Sequence, residues 1–228
     1  MKYLLAFALL TGCSWLEKTP VNTSTTTSST TTTVKAPEMA KVKLSWNTPS
    51  NPEREAWSAF LIQSLNEQYD SFSKASDSKD FCPKFSSLTK DQKINLWAEI
   101  LVWMMYYESG WSPVNWMTEK SMGIDAVTGK QVKSEGLLQM SYQDTQWHKF
   151  CTFDWSKDKL LKQDDPKKTI FNPITNMDCG VKVLAKQIAS KGAISLKSSV
   201  YWSVIKIDGK YSKLPQIMAK TKALPFCK

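Results

Sequence analysis

Residues 94–111 read INLWAEILVWMMYYESGW and decide the fold of this chain. Apolar side chains recur at helical spacing through the stretch, at Ile94, Trp97, Leu101 and Met105. The residues between them are also mostly apolar, which predicts a helix that is buried on most of its sides. A helix of this kind has to be covered by other elements, so the rest of the domain should be arranged around it.

Both ends of this helix are marked in the sequence. Thr89 followed by Gln92 forms a capping box, and Ser109-Gly110 should end the helix. Glu108 then lies at the C-terminal end, where the partial negative charge of the helix and the neighbouring aromatic rings disfavour an ionised carboxylate. Both effects raise its pKa, which makes Glu108 a candidate general acid near neutral pH. The alternative is an exposed glutamate in a helix-to-loop turn.

The first 13 residues are typical of an export signal. Lys2 precedes an apolar run over residues 3–10 that is too short to span a bilayer. The run ends in Leu-Thr-Gly-Cys, which resembles a bacterial lipobox and implies lipidation of Cys13. Ser14 after the cysteine resembles a signal for the outer membrane. We therefore expect an exported, periplasmic protein that is anchored to the outer membrane through Cys13; the alternative is an ordinary signal peptide and secretion.

A polar segment separates this signal from the folded part. Residues 19–33 are almost all Thr and Ser and offer no apolar surface to bury. We expect a disordered tether over residues 14–49 and one folded domain over residues 50–228, although the domain could also begin near Lys41.

Four further cysteines remain once Cys13 is set aside. An even number in an exported protein predicts two disulfides, with three possible connectivities. We favour the pairs Cys151–Cys179 and Cys82–Cys227. A zinc site is the competing use, but the chain has no CxxC pair and a single histidine, His148, which argues against zinc-dependent chemistry. We expect no metal and no cofactor.

The charge of the chain is strongly basic. The net charge is +9, and all basic residues except Arg54 are lysines (30 − 1 = 29). Sequence-specific nucleic-acid readout depends largely on arginine, so we do not expect a nucleic-acid partner. In an exported protein, lysines instead favour loose attraction to cell wall or anionic lipid.

The remaining helical pattern predicts a mainly α fold (α+β in the lysozyme-like sense) with at most a small β-hairpin. We expect a first helix from Pro52, a hairpin over residues 125–132, and an amphipathic helix from Asn172 to Gly192. We also expect a helix over residues 196–207 and a last short helix that contains Ile217.

Three fragments, taken in order, resemble the lysozyme-like catalytic domain of lytic transglycosylases and goose-type lysozymes. They are Glu108-Ser109, the Gly-Leu-Leu-Gln-Met run at residues 136–140, and residues 172–184, which begin Asn-Pro. The resemblance implies that Glu108 is the catalytic acid and that Ser109 supports it. It also implies that Gln139 and Tyr201 contact the substrate in a groove.

This chain departs from the family pattern in two places. A charged stretch over residues 121–135 replaces a shorter family segment, and Trp202 stands where the family usually has Asn. Glu135 and Asp125, in the replaced stretch, are candidates to hold a water molecule, and Trp202 is a candidate to stack on a sugar. The alternatives are solvated loop charges and an ordinary core residue.

The resemblance implies cleavage of peptidoglycan glycan strands at the β-1,4 bond between N-acetylmuramic acid and N-acetylglucosamine. Hydrolysis and lytic transglycosylation both stay open, and we expect a monomer. Two alternatives remain. One is a non-catalytic wall-binding module with the same fold, and the other is a lysozyme specialised for N-deacetylated peptidoglycan.

Overall fold

The computed structural model describes residues 43–228. The export signal, Cys13 and most of the expected tether therefore lie outside the described residues. The secondary structure of the described part comprises helices α1 (Arg54–Glu67), α2 (Tyr69–Phe72), α3 (Ser78–Phe81), α4 (Lys90–Ser109), α5 (Asp144–Trp147), α6 (Trp155–Asp158), α7 (Pro173–Lys191) and α8 (Leu214–Lys222), and strands β1 (Trp116–Thr118) and β2 (Lys133–Glu135). Short 3-10 turns lie at Phe85–Ser87, Thr169–Phe171, Ser203–Ile205 and Pro225–Cys227. The prediction of a mainly α fold with one small hairpin is confirmed.

Helix α4 is the centre of the domain. Helices α1 and α8 pack against it, and α1 and α2 also pack against α7. Trp97 and Leu101 are fully buried, as their spacing predicted. Complete burial of a large apolar side chain stabilises a fold by about 1.5–3 kcal/mol, so α4 contributes much of the core.

The ends of α4 are formed as the sequence indicates. The Thr89 side chain accepts a hydrogen bond from the Gln92 N–H, and the Gln92 side chain accepts one from the Thr89 N–H. At the other end Gly110 has a φ of 63°, and its N–H donates back to the carbonyls of the last turn. This left-handed conformation suits glycine, and it stops the helix directly after Glu108 and Ser109.

The folded domain begins before residue 50. Leu44 and Trp46 are buried in the core. The Ser45 N–H donates to the carboxylate of Glu99 on α4 at 2.9 Å, and the Trp46 indole donates to Ser58 at 2.8 Å. Residues 43–49 therefore pack as part of the domain.

The hairpin is longer than expected. Its two strands pair antiparallel with Trp116 opposite Glu135 and Thr118 opposite Lys133. An isolated bridge joins Ile124 to Gln131 further along, so the predicted stretch 125–132 is the end of this hairpin.

The predicted helix over residues 196–207 is wrong. Ser199 has a φ of 59°, which a right-handed helix does not allow. The Asp77 carboxylate accepts the N–H groups of Ile194 and Ser195, and Ile207 donates to the Leu196 carbonyl. The segment is therefore a loop closed by tertiary hydrogen bonds, with one 3-10 turn at Ser203–Ile205.

Two disulfides join distant parts of the domain. Cys82 pairs with Cys227 across 145 residues, and Cys151 pairs with Cys179 across 28 residues. These are the pairs that we favoured from the sequence, and they fit an exported protein. Within residues 43–228, no helix is both long and apolar enough to cross a bilayer.

Candidate active site

Glu108 lies in the last turn of α4, and its side chain is half-buried. Ser109 beside it is buried, and its hydroxyl donates to the Met105 carbonyl at 2.9 Å. That bond fixes the Ser109 side chain against the helix backbone. Ser109 therefore supports the turn that carries Glu108.

The environment of Glu108 disfavours its charged form. Burial raises the pKa of the Glu108 carboxyl to about 7, and the negative charge of Glu119 adds to this effect. A carboxyl with this pKa carries a proton in a large fraction of molecules at neutral pH. It can therefore donate that proton to a leaving group.

The sequence pattern did not single out Glu119, which follows directly after β1. Its N–H donates to the Val132 carbonyl at 2.9 Å, and its carboxylate accepts from the Ser134 hydroxyl at 2.6 Å. Side chains alternate between the two faces of a strand, so Glu119 and Ser134 share one face of the hairpin. A strand prediction for residues 116–119 would have placed Glu119 on that face. Its proximity to Glu108, however, arises only in the folded hairpin.

Aromatic side chains cluster at the C-terminal end of α4, the helix that carries Glu108. The Trp111 ring lies 4.9 Å from the Tyr106 ring and 5.6 Å from the Trp103 ring, centroid to centroid. The Trp111 indole N–H donates to the Val102 carbonyl at 2.8 Å, which fixes the ring against α4. This group of rings packs the end of the helix directly after Glu108.

The segment over residues 136–140 is attached to helix α7 by Asn176. This side chain is fully buried; it accepts from the Leu138 N–H and donates to the carbonyls of Glu135 and Ile170. Gly136 has a φ of 82°, and a Cβ there would lie 2.3 Å from the Asn176 amide nitrogen. Glycine is therefore required at position 136. Residues 136–140 and residues 172–184 are two of the three fragments that carry the family resemblance, and they are thus in direct contact.

Gln139 is buried, and its backbone φ is 49°. Its amide nitrogen donates to the Gly136 carbonyl at 2.8 Å and to the Asn115 carbonyl at 3.2 Å. Its amide oxygen has no hydrogen-bond partner within the described part of the chain. A left-handed non-glycine residue with a free buried acceptor is the kind of strain that concentrates at functional sites.

Tyr201 is held by a buried carboxylate that the sequence did not point to. Its hydroxyl donates to Asp144 at 2.5 Å, and Asp144 also accepts from the Ser141 N–H at 2.7 Å. Burial raises the pKa of Asp144, while these hydrogen bonds oppose the rise. Burial and the Asp144 charge raise the pKa of Tyr201, with a smaller contribution from Glu108. Tyr201 therefore lies within electrostatic reach of Glu108.

Three other candidates from the sequence have partners of their own. Glu135 is buried and accepts from Lys168 and Gln163. Asp125 is buried, and its carboxylate accepts backbone N–H groups of Val127, Thr128 and Gln143. Trp202 is 2% exposed, and its indole donates to the Leu138 carbonyl. Glu135 and Asp125 thus act as structural anchors here, and the Trp202 ring has no free face for a sugar.

The chain is similar to solved structures of one protein, DslA (Bd0314). The wild-type form of DslA matches with a TM-score of 0.62 and 26% identity over 78% of this chain and 93% of that chain. Two DslA mutants, in each of which one glutamate is replaced by glutamine, match with TM-scores of 0.62 and 0.63 and identities of 25% and 26%. The first covers 80% of this chain and 95% of that chain, and the second covers 78% and 93%. No family model and no curated protein matches the chain.

Proposed function

We propose that the protein cleaves peptidoglycan glycan strands at the β-1,4 bond between N-acetylmuramic acid and N-acetylglucosamine, with Glu108 as the general acid. The observation that carries this proposal is the pKa of Glu108, which burial and Glu119 raise to about 7 at the end of a buried helix. A wall-binding module without activity would have no use for a half-buried acid of this kind.

Glu119 gives the reaction its second carboxylate. Glu108 donates its proton to the glycosidic oxygen, and the bond from that oxygen to the anomeric carbon breaks. Glu119 stabilises the positive charge that develops on the sugar and takes a proton from the water that adds to the anomeric carbon. Lytic transglycosylation needs one carboxylate only, so the presence of both Glu108 and Glu119 favours hydrolysis.

The DslA mutants support the same pair. Their replaced glutamates are at positions 143 and 154 of that chain, which are 11 residues apart. Glu108 and Glu119 are also 11 residues apart (119 − 108 = 11). We infer that the two pairs correspond.

Gln139 and Tyr201 supply polar contacts. The free amide oxygen of Gln139 can accept the N–H of an N-acetyl group. Tyr201, held by Asp144, presents its hydroxyl oxygen near Glu108 as an acceptor.

The test is the mass of the products released from purified peptidoglycan. Hydrolysis adds one water and leaves a reducing muramic acid end, whereas transglycosylation leaves a 1,6-anhydro ring that is 18 Da lighter, the mass of that water. Release of neither product by the folded protein would refute cleavage.

The second candidate is specialisation for N-deacetylated peptidoglycan, and Glu119 is the observation that favours it. Deacetylation exposes an ammonium group on the sugar, and a carboxylate beside the scissile bond can pair with it. Faster turnover of chemically deacetylated strands than of re-acetylated strands would support this candidate. Equal rates would exclude it.

We also propose that the protein is lipid-anchored at Cys13 in the periplasm. The disulfides fit export, and the Leu-Thr-Gly-Cys order supports the lipid. If the wild type incorporates labelled palmitate and Cys13→Ser does not, the anchor is supported. Equal labelling of the wild type and Cys13→Ser would refute it.

A further inference from the structure

A pocket lies on the face of the hairpin opposite Glu119. Lys133 and Glu135 flank Ser134 on β2, so their side chains point away from the face that Ser134 shares with Glu119. They line the pocket together with Asp125, Lys130, Gln163, Lys168 and Trp155. We call this group the lysine pocket. It is separated from Glu108 by the hairpin, and it has a cavity volume of about 40 Å³.

The floor of the lysine pocket is a satisfied ion pair. Lys168 and Glu135 are 3% and 2% exposed, and the Lys168 ammonium donates directly to the Glu135 carboxylate. Gln163 donates to the same carboxylate at 2.7 Å. The second carboxylate of the pocket, Asp125, accepts backbone N–H groups. The three lysines therefore exceed the two carboxylates by one positive charge (3 − 2 = 1).

The other two lysines of the pocket are Lys133 and Lys130. The Lys133 ammonium donates to the side-chain oxygen of Gln163, which is neutral. Within the described part of the chain, neither Lys133 nor Lys130 forms a salt bridge. Burial lowers the pKa of Lys133, and the charges of Lys168 and Lys130 lower it further while Glu135 opposes them. An anion in the pocket would relieve this repulsion.

Aromatic rings lie beside both ammonium groups. The Lys133 ammonium is 4.6 Å from the centre of the Trp116 ring, and Trp116 is 39% exposed. The Lys130 ammonium is 5.4 Å from the Trp155 ring. A ligand that joins an acid group to a short carbon chain would therefore meet both charge and ring surface.

We propose that the lysine pocket is a binding site for the side-chain carboxylate of an acidic peptide. The carboxylate would contact Lys133 and Lys130, the Gln163 amide would hydrogen-bond the peptide, and the Trp116 ring would pack on its carbon chain. The site does not depend on Glu108. Acidic peptides attached to a wall polymer are one source of such a ligand.

The experiment is a titration of the ¹⁵N-labelled protein, followed by NMR, with N-acetyl-alanyl-glutamate amide. The isosteric glutamine peptide is the matched control, because it differs only in charge. We expect the glutamate peptide to shift the indole N–H of Trp116 and the signals of Gln163 and Lys133, and the glutamine peptide to shift none of them. Equal shifts with both peptides, or no shift up to ~10 mM, a range that covers weak binding, would overturn the proposal.

Variants of single lysines test the contacts. Lys133→Gln should bind the glutamate peptide about tenfold more weakly, because it loses a charge-assisted hydrogen bond. The exposed Lys130→Gln should weaken binding as well, and it provides the test if Lys133→Gln perturbs the spectrum globally. Lys84→Gln, an exposed lysine outside the pocket, and Glu108→Gln should bind as the wild type does. Unchanged binding in Lys130→Gln and Lys133→Gln, or inorganic phosphate shifting the same signals more strongly than the peptide, would overturn the assignment.

Discussion

The negative charge of Glu119 reaches Glu108 and raises the pKa of the Glu108 carboxyl beyond what burial achieves. Glu108 lies in the last turn of α4, and Glu119 follows directly after β1. The pairing of β1 with β2 therefore adds to the effect of burial on the acidity of a side chain on the central helix.

Glu119→Gln should lower the pKa of Glu108, because it removes the like charge and leaves burial in place. The change is measured from the pH titration of the Glu108 side-chain carboxyl by ¹³C NMR. Glu53→Gln, at an exposed glutamate before α1, is the control and should leave the titration unchanged. A Glu108 pKa that stays near 7 in Glu119→Gln would show that Glu119 does not act on it.

Glu108 should make the stability of the domain depend on pH. Its pKa rises from 4.5 to about 7 on folding, so its favourable effect on stability is complete below pH 4.5 and is lost as the pH rises to about 7. Glu108→Gln removes this loss of stability, because the glutamine side chain does not titrate. The free energy of unfolding of the variant relative to the wild type should therefore be higher at pH 8 than at pH 4, by at most roughly 3 kcal/mol. Urea unfolding at the two pH values measures it, and an equal difference at both would contradict the assignment.

Tyr201→Phe should destabilise the domain as well as affect the site. The change removes a hydroxyl that donates to fully buried Asp144, whose other carboxylate oxygen already has no partner in the described part of the chain. The expected loss is about 1–3 kcal/mol, measured by chemical denaturation. Tyr211→Phe is the control, because Tyr211 is 63% exposed. Equal stability of the two variants would mean that the Asp144 bond contributes nothing.

The two disulfides should differ in their contribution to stability. Chain-entropy arguments give about 5 kcal/mol for a loop of 145 residues and about 3.5 kcal/mol for one of 28. Replacing Cys82 and Cys227 together by serine should therefore cost more than replacing Cys151 and Cys179. Denaturation of the two double variants gives the comparison, and the reverse order would contradict it.

Local signals allowed much of the fold to be predicted. The cap at Thr89, the apolar period of α4 and the terminating Gly110 are all neighbours in the chain, so the sequence fixes that helix by itself. The loop over residues 196–207 could not be predicted in the same way, because Asp77, more than 100 residues away, holds the N–H groups of Ile194 and Ser195 directly before it.

In the candidate site, too, local sequence predicts some residues and tertiary structure decides the placement of others. Glu108 follows from its own helix, whereas the proximity of Glu119 depends on how a 14-residue turn (residues 119–132) brings β2 back to β1. Glu135 was expected at the groove because of its position in the replaced stretch. Its orientation depends on the strand register, which points it instead at Lys168.

The most direct test is product release from purified peptidoglycan by Glu108→Gln beside the wild type, at pH 6 and with folding checked by circular dichroism. The amide keeps the shape of the side chain but has no proton of suitable acidity, so we expect muropeptide release to fall by a factor of at least about 100 with the fold intact. Release within a few-fold of the wild type by a folded Glu108→Gln protein would contradict the account.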